Sequence, residues 1–405
     1  MALPATGRTI LNRPTEQARA SDTVAGKPLV HWSEEGQARS AYWRSERGVP
    51  PAKTILVTDD RIRADEAYGL ACQGSAMLWR SDFQNARQLL VALAARADRK
   101  TGLSSAGEPQ QLSAALFHRV RQMRAQRART LSMLLIELDA DYRVALRRAP
   151  DVHQACLHAY GPADGTSVVS LRELMGVIGA HQWYLRGIEI PAVGGRIYPH
   201  YGVFTPTRSE YVDLVAQAPL PTGAGKGISV FDIGTGTGVL AAVLAKRGVA
   251  RIVGTDSDPR AIACAVENIH RLGLSGQVQI EQTVFFPPGR ADLVVCNPPW
   301  VPARPGSALE RGIYDDNSAM LKGFLGAVAA HLNPQGEAWL ILSDLAEHLG
   351  LRSRDTLLGL IEAGGLEVVG RHDTRPRHPK SVDAGDPLHL ARRSEQTSLW
   401  RLRAR

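Results

Sequence analysis

Four cysteines in 405 residues are few, and no two of them form a Cys-x-x-Cys pair. Cys72, Cys156, Cys264 and Cys296 lie far apart, mostly among apolar neighbours. That placement argues against a disulfide framework or a thiolate metal site and predicts four buried thiols. The nearest approach to a ligand group is His153, Cys156 and His158, whose third member points away from the helix face shared by the first two. His200 stands alone, so no metal is expected. Long apolar runs are also missing, and no stretch approaches the roughly 18 uncharged apolar residues of a membrane span. Arg8, Arg13 and Pro14 fall where a signal peptide would need an unbroken apolar core, so the expectation is a cytoplasmic protein without a membrane partner. Internal repeats and low-complexity tracts are absent.

The residues that are present, 44% apolar and 22% charged, suit a globular chain long enough for two domains. Its formal charge of +8 is unevenly spread. Residues 1–150 hold 23 Lys/Arg against 15 Asp/Glu, residues 151–370 hold 16 against 21, and residues 371–405 hold 9 against 4. Positive ends thus flank an acidic centre, a field able to steer an anionic partner.

Residues 1–50 are polar and broken by prolines and read as a loose arm. KTILVTDD, from Lys53, reads as a short strand or buried extended segment, and helices are expected over RIRADEAYGLACQ and RSDFQNARQLLVALAA, the latter capped by Ser81 or Asp82. The polar run from Asp98 to Gln111 reads as a loop. Residues 112–146 read as one long helix or two, carrying Arg119, Arg121, Arg124, Arg127 and Arg129 with no acid between the first and last. Such a row either contacts phosphates or packs, solvated, against the acidic centre. Pro150 ends the segment, a short helix follows to Tyr160, and Ser170 with Glu173 offers a capping box for the next. Residues 1–190 are therefore expected to be a mainly helical N-terminal domain suited to substrate recognition, and residues 191–405 the catalytic domain. LPTGAGKG, at 220–227, reads as a loop inside the latter.

Beyond residue 228, strands near 228–233, 251–255, 277–281, 292–296 and 337–343 alternate with helices near 238–247, 259–271, 318–332 and 353–363. LEVVGR and TSLWRL supply a final pair of strands. This spacing calls for an α/β fold, a mostly parallel sheet covered on both sides with its site at the strand C-terminal ends.

Two stretches carry chemistry. In ISVFDIGTGTGVL, residues 228–240, a buried strand ends at Asp232 and Gly234, Gly236 and Gly238 follow at alternate positions, a turn that brings backbone N–H groups close to a ligand. Asp256 ends the next strand 22 residues after Gly234, placed to accept hydrogen bonds from two ribose hydroxyls. The dinucleotide pattern would need glycine at 239, which is Val239, and no P-loop lysine follows. A non-phosphorylated nucleoside with an amino-acid tail fits better. In DLVVCNPPW, residues 292–300, a strand delivers Asn297 beside that site. Pro298 and Pro299 stiffen the loop, the Asn297 side-chain oxygen and the Pro298 carbonyl can accept both hydrogens of a planar NH2 group, and Trp300 offers an apolar face for a planar ring or amide. Such a clamp catalyses by position, since an amide cannot serve as a general base.

Together these stretches resemble the class I S-adenosylmethionine-dependent methyltransferases, in the branch whose fourth strand ends in Asn-Pro-Pro-aromatic. It includes adenine-N6, ribosomal guanine-N2 and release-factor glutamine-N5 enzymes. The resemblance covers about residues 198–345 and implies a seven-stranded Rossmann-like sheet ordered 3-2-1-4-5-7-6 with its last strand antiparallel. It also implies S-adenosyl-L-methionine as cofactor, with Asp232, Gly234, Thr235, Gly236 and Gly238 on its methionine part and Asp256 and Ser257 at the ribose. Asn297, Pro298, Pro299 and Trp300 would hold the target NH2. YGVFTP, from Tyr201, resembles the segment that closes over the cofactor tail, which assigns Phe204, Thr205 and Pro206 to that task and Arg208 less securely. Where the family commonly has an acid at the adenine, this chain has Gln282 and Thr283. The charge, the arginine row with Arg121, Arg124 and Arg127, and the basic tail favour a nucleobase in RNA or another ribosomal component. The 201–210 segment favours a protein glutamine, while a lid-like N-terminal domain would suit a small molecule. A non-catalytic binding scaffold is the remaining alternative.

Overall fold

The computed structural model describes residues 23–24, 27–101, 112–221, 227–307, 309–377, 383 and 385–405. The first twenty residues, residues 102–111 and most of LPTGAGKG lie outside the described residues; of the loop expected from Asp98 to Gln111, residues 98–101 are instead the last turn of a helix.

The N-terminal half is built on a sheet of its own. Its strands are β1 (Thr23–Val24), β2 (Lys27–Glu34), β3 (Gln37–Arg44), β4 (Thr54–Thr58), β5 (Ser75–Trp79), β6 (Leu134–Leu138) and β7 (Ser167–Ser170), in the order β1-β2-β3-β7-β6-β5-β4. The pairings are mixed: β3 with β7, β5 with β6 and β4 with β5 are parallel, the others antiparallel. Helices α1 (Ala64–Cys72), α2 (Phe83–Thr101), α3 (Ala114–Leu131), α4 (His153–Tyr160) and α5 (Leu171–Arg186) complete the unit.

This corrects the expectation of a mainly helical domain. Residues 27–44, expected as a loose arm, form a hairpin turned at Glu35-Gly36, both with positive φ. The long helix expected to 146 stops at Leu131, and Leu134–Leu138 is a strand. The reason is burial: β5, β6 and β7 are almost wholly inside, so they show neither the alternation of a half-exposed strand nor enough length to exclude a helix. Other expectations hold. Strand β4, helices α1 and α2, the Asp82 cap, whose Oδ1 accepts from the Gln84 N–H at 2.8 Å, and the Ser170 cap, whose Oγ accepts from the Glu173 N–H at 3.1 Å, are all present. Cys156, Cys264 and Cys296 are buried as expected, whereas Cys72, in the last turn of α1, is exposed.

A two-stranded hairpin, β8 (Ile188–Ile190) and β9 (Gly195–Ile197), leads into the second sheet. There β10 (Ser229–Ile233), β11 (Arg251–Asp256), β12 (Val278–Gln282), β13 (Ala291–Cys296), β14 (Leu332–Ser343), β15 (Leu366–Thr374) and β16 (Thr397–Ala404) are ordered β12-β11-β10-β13-β14-β16-β15. The first five are parallel, and β16 runs antiparallel to both β14 and β15. Numbered within the sheet, this is the expected order 3-2-1-4-5-7-6. Helices α6 (Glu210–Gln217), α7 (Val239–Lys246), α8 (Pro259–Arg271), α9 (Ala319–Ala327), α10 (Leu345–His348), α11 (Arg354–Ala363) and α12 (His389–Ser394) belong to this half. Fully buried Trp339 and Phe324 anchor its two core layers, each such side chain contributing about 1.5–3 kcal/mol.

The halves meet through α3. Its Leu116, Phe117 and Val120 form one apolar cluster with Val301, Ala303, Leu345, Leu349, Leu388 and Ala391 of the catalytic half. Charge complementarity adds Glu46 to Arg260 at 2.7 Å and Arg124 to Asp386 at 2.9 Å. No helix among the described residues is long and apolar enough to cross a membrane.

Candidate active site

The turn after β10 has the conformation its glycines require. Gly234, Gly236 and Gly238 have φ of 72°, 55° and 79°, a region that L side chains avoid. A Cβ on Gly234 would lie 2.6 Å from Met320 Cε, whereas one on Gly236 would meet nothing nearer than 4.0 Å. The backbone is therefore packed on one side at Gly234 and open at Gly236, leaving an unfilled cradle.

Asp232 builds this turn from beneath. Its Oδ2 accepts from Thr235 Oγ1 at 2.7 Å and from the Ala241 N–H at 3.1 Å, tying strand, turn and α7 together. Burial pushes its carboxyl up to about 6. Asp256 lies beside it at the end of β11: Oδ2 accepts from the Gly236 N–H at 3.1 Å and Oδ1 from the Asp258 N–H at 3.0 Å. Burial raises this carboxyl as well. Each oxygen keeps a lone pair for a further donor, as the two hydroxyls of a ribose would need. Gln282 is the register partner of Asp256, its Nε2 donates to the Ser257 carbonyl at 3.4 Å, and the Thr283 N–H donates to the Asp256 carbonyl at 3.0 Å. Asp232, Thr235, Gly236, Asp256, Ser257, Gln282 and Thr283 thus form one continuous patch across three strand ends, and these residues fit a nucleoside.

Asn297 follows β13, and its Oδ1 accepts from the Trp300 indole N–H at 2.9 Å. An indole can only donate, so this bond fixes which amide atom is oxygen and leaves that oxygen one lone pair. Asn297, Pro298 and Trp300 line a cavity of about 290 Å³ together with Phe204 and Arg208. Trp300 does not present an open face on both sides: the Arg208 guanidinium sits 4.8 Å from its ring centroid and Tyr211 meets it edge-on. Arg208 is held by two buried carboxylates, Nε donating to Glu210 at 2.6 Å and Nη1 to Glu395 at 3.0 Å. Its Nη2 is buried without a partner.

The segment that begins at Tyr201 divides. Phe204 faces the Asn297 cavity, Thr205 faces a second, larger cavity, Pro206 is buried between them, and Thr207 lines both. Of the arginine row, Arg121 donates to the Arg304 carbonyl at 2.7 Å and lies 4.1 Å from the Tyr314 ring centroid, while Arg127 pairs with Asp98 at 2.6 Å. Arg121 and Arg124 nevertheless reach the Asn297 cavity, carried there by α3.

Sequence reasoning missed several walls of this site. Glu395, joined to Ser343 Oγ at 2.6 Å, and Arg392 come from the far C-terminal stretch, which no local pattern connects to Asn297. Asp315 carried a readable signal: YDDNSAM precedes an apolar helix, and its carboxylate accepts from the Met320 and Leu321 N–H groups at 2.9 and 3.1 Å. Asn317 and Ser318, with φ of 54° each, sit in the strained turn it stabilises. Among the described residues no group of three or more His, Cys, Asp or Glu side chains could hold a metal ion, and His153 Nδ1 lies 2.7 Å from the Asp141 carbonyl.

Strand order and nucleoside patch together define a class I S-adenosylmethionine-dependent methyltransferase domain, whose cofactor is S-adenosylmethionine. Within that class, residues 219–298 match the family model of the ribosomal protein L11 methyltransferases. The release factor glutamine methyltransferase of Cereibacter sphaeroides is 34% identical over 155 residues, 35% of this chain and 53% of that protein. The ribosomal protein L11 methyltransferase of Pelotomaculum thermopropionicum is 47% identical over 73 residues, 18% of this chain and 24% of that protein. The chain thus spans about half the length of the relative with the longer match. A solved ribosomal protein L11 methylase from Lactobacillus delbrueckii subsp. bulgaricus aligns at 16% identity over 49% of this chain and 79% of its own, with a TM-score of 0.33.

Proposed function

We propose that the protein is an N-methyltransferase whose acceptor is the planar NH2 of a side-chain carboxamide, a glutamine of a protein substrate. The observation that carries this reading is the Asn297 cavity: about 290 Å³, walled by α3 and with the Trp300 ring already covered by Arg208, it suits an extended side chain better than a base stacked on tryptophan. S-adenosylmethionine supplies an electrophilic methyl carbon when bound. The free lone pair of Asn297 Oδ1 and the Pro298 carbonyl accept the two hydrogens of the target NH2 and turn its nitrogen toward the nucleoside patch. Trp300 keeps the amide from rotating, so the clamp is rigid before the acceptor arrives. An alkylated amide nitrogen is acidic enough to lose its proton to water, so no protein base is required.

The nucleobase reading loses most of its support once the arginines are placed. Arg124 and Arg127 pair with described acids, Arg121 lies 3.6 Å from Glu310, and in the tail Arg401 and Arg403 hold buried Glu337. The relatives whose names specify a protein acceptor point the same way.

The test is incubation with methyl-labelled S-adenosylmethionine and fractionated cell extract. Label in protein that acid hydrolysis releases as methylamine is the expected result. Label in RNA would restore the nucleobase, and label confined to small metabolites would make the acceptor a small molecule.

A further inference from the structure

A second cavity, of about 640 Å³, lies between the two halves, within the size range of ligand sites. Its walls carry three cations, Arg44, Arg47 and Arg172, and three acids, Glu46, Glu173 and Glu310. All but one have partners. Arg44 pairs with Asp164 at 2.6 Å, Arg47 lies 3.9 Å from Glu310, Glu46 pairs with Arg260, and Glu173 accepts from the Glu46 N–H at 3.1 Å. Arg172, in the first turn of α5, is half-buried and forms no hydrogen bond or ion pair with a described residue. Burial, and after it the nearby cations Arg47 and Arg127, hold its pKa below the usual arginine range, with Glu173 and Glu310 offsetting part of the effect. On the same helix Trp183 is 53% exposed at the cavity wall. The cavity neighbours that of Asn297, Thr207 lining both.

The geometry points to this inter-domain cavity as the binding site for the stretch of acceptor protein beside its target glutamine, with one acidic side chain of that stretch paired to Arg172 and an apolar one against Trp183. The assignment rests on the proposal that the acceptor is a protein carboxamide. A polypeptide fits the charge balance: three acids against three cations give no net field for a polyphosphate backbone, and among the described residues Arg172 is the one guanidinium of the wall left without a direct ion pair to meet a carboxylate. Such a contact also gives the N-terminal half a role in choosing the substrate without touching the reacting atoms.

The experiment measures fluorescence polarisation of labelled nine-residue peptides, each with a central glutamine and with Glu, Lys or Ala scanned through the other positions. They are titrated onto the full chain with S-adenosylmethionine present. The wild type is expected to favour Glu over Ala about tenfold at one fixed offset. Arg172→Gln should erase that preference and Arg172→Glu should transfer it to Lys at the same offset, with cofactor affinity unchanged as the check on folding. Trp183→Ala should weaken every peptide without moving the offset. Absence of peptide binding, absence of an offset, or a preference indifferent to Arg172→Glu overturns the proposal. Peptides that bind through Arg172 yet are never methylated would sink the proposed reaction while leaving this site intact. Methylation without an acidic preference would do the reverse.

Discussion

The molecule contains two seven-stranded sheets that divide the work unequally. In the sheet of residues 229–404, five parallel strands point their C-terminal ends at one edge, and Asp232, Asp256, Gln282 and Asn297 lie on or just beyond four of them. Parallel strands concentrate loop residues and helix starts on one side, so a site arises there from topology alone. The N-terminal sheet mixes directions and scatters its strand ends, and what it sends to the other half is not a strand end but the faces of α3 and α5. One sheet places the proposed reacting groups; the other supplies walls. Substitutions in the two halves should therefore separate chemistry from enclosure.

The sharpest separation comes from the proposed clamp. Asn297→Ala should leave cofactor affinity intact in calorimetry while lowering turnover by about 10²–10³, the usual cost of one preorganised polar group at a reacting centre. Full activity would remove the clamp. Its counterpart in the other half is Leu135→Ala in β6, where the side chain is fully buried. Loss of about 3 kcal/mol in denaturant unfolding is expected, with little change in cofactor affinity; a loss below ~1 kcal/mol would mean that the N-terminal core is looser than its burial implies.

Acidity gives a second handle on the catalytic half. The Asp232 carboxyl is pushed up to about 6 by burial, above the roughly 3.9 of an unfolded chain, so between these values the native state binds more protons than the unfolded state. Its contribution to stability is therefore greatest at low pH and declines as pH rises from about 4 to about 6, by at most ~3 kcal/mol. Asp232→Asn keeps an oxygen for Thr235 and Ala241 and should flatten that decline; an unaltered pH profile would place the titration elsewhere. Asp256→Ala, which removes the proposed ribose acceptor, should weaken cofactor binding about 10–100-fold. Unchanged affinity would exclude the ribose role.

The same contrast governs how much was legible in the sequence. Glycines at alternate positions with an acid 22 residues on, then Asn-Pro-Pro-Trp, are dense local signals, and they gave the catalytic strand order and most of the nucleoside patch. Beyond the segment read from Lys53, the core of the N-terminal sheet was invisible because SAMLW, LLIEL and SVVS are short and buried on both faces, where periodicity cannot separate strand from helix. Glu395, Arg392 and α3 were unreadable as site walls for another reason. They reach Asn297 only through tertiary packing, across 95 or more residues of chain. The cover of Trp300 by Arg208 depends on Glu210 and Glu395 converging on one guanidinium, which sequence spacing does not encode.

The smallest expected effect bears on the arginine row, where the two readings of α3 diverge. Arg124 Nη2 lies 2.9 Å from Asp386, which Arg392 also holds at 2.7 Å, and the Arg124 side chain keeps 42% of its exposure. Because Asp386 retains a partner and the lost pair is partly solvated, Arg124→Ala should cost less than ~1 kcal/mol of stability. If α3 serves only as a wall, any binding of RNA by the chain should show the same salt dependence before and after the substitution. If the row contacts phosphates, each arginine removed should lower the slope of log K against log salt by about 0.7–0.9. Salt titrations of the wild type and Arg124→Ala therefore decide whether the positive N-terminal half faces a nucleic acid or the acidic half of its own chain. Identical slopes accompanied by a small loss of stability are the expected outcome, because the carboxylate that pairs with this guanidinium belongs to the other half of the same molecule.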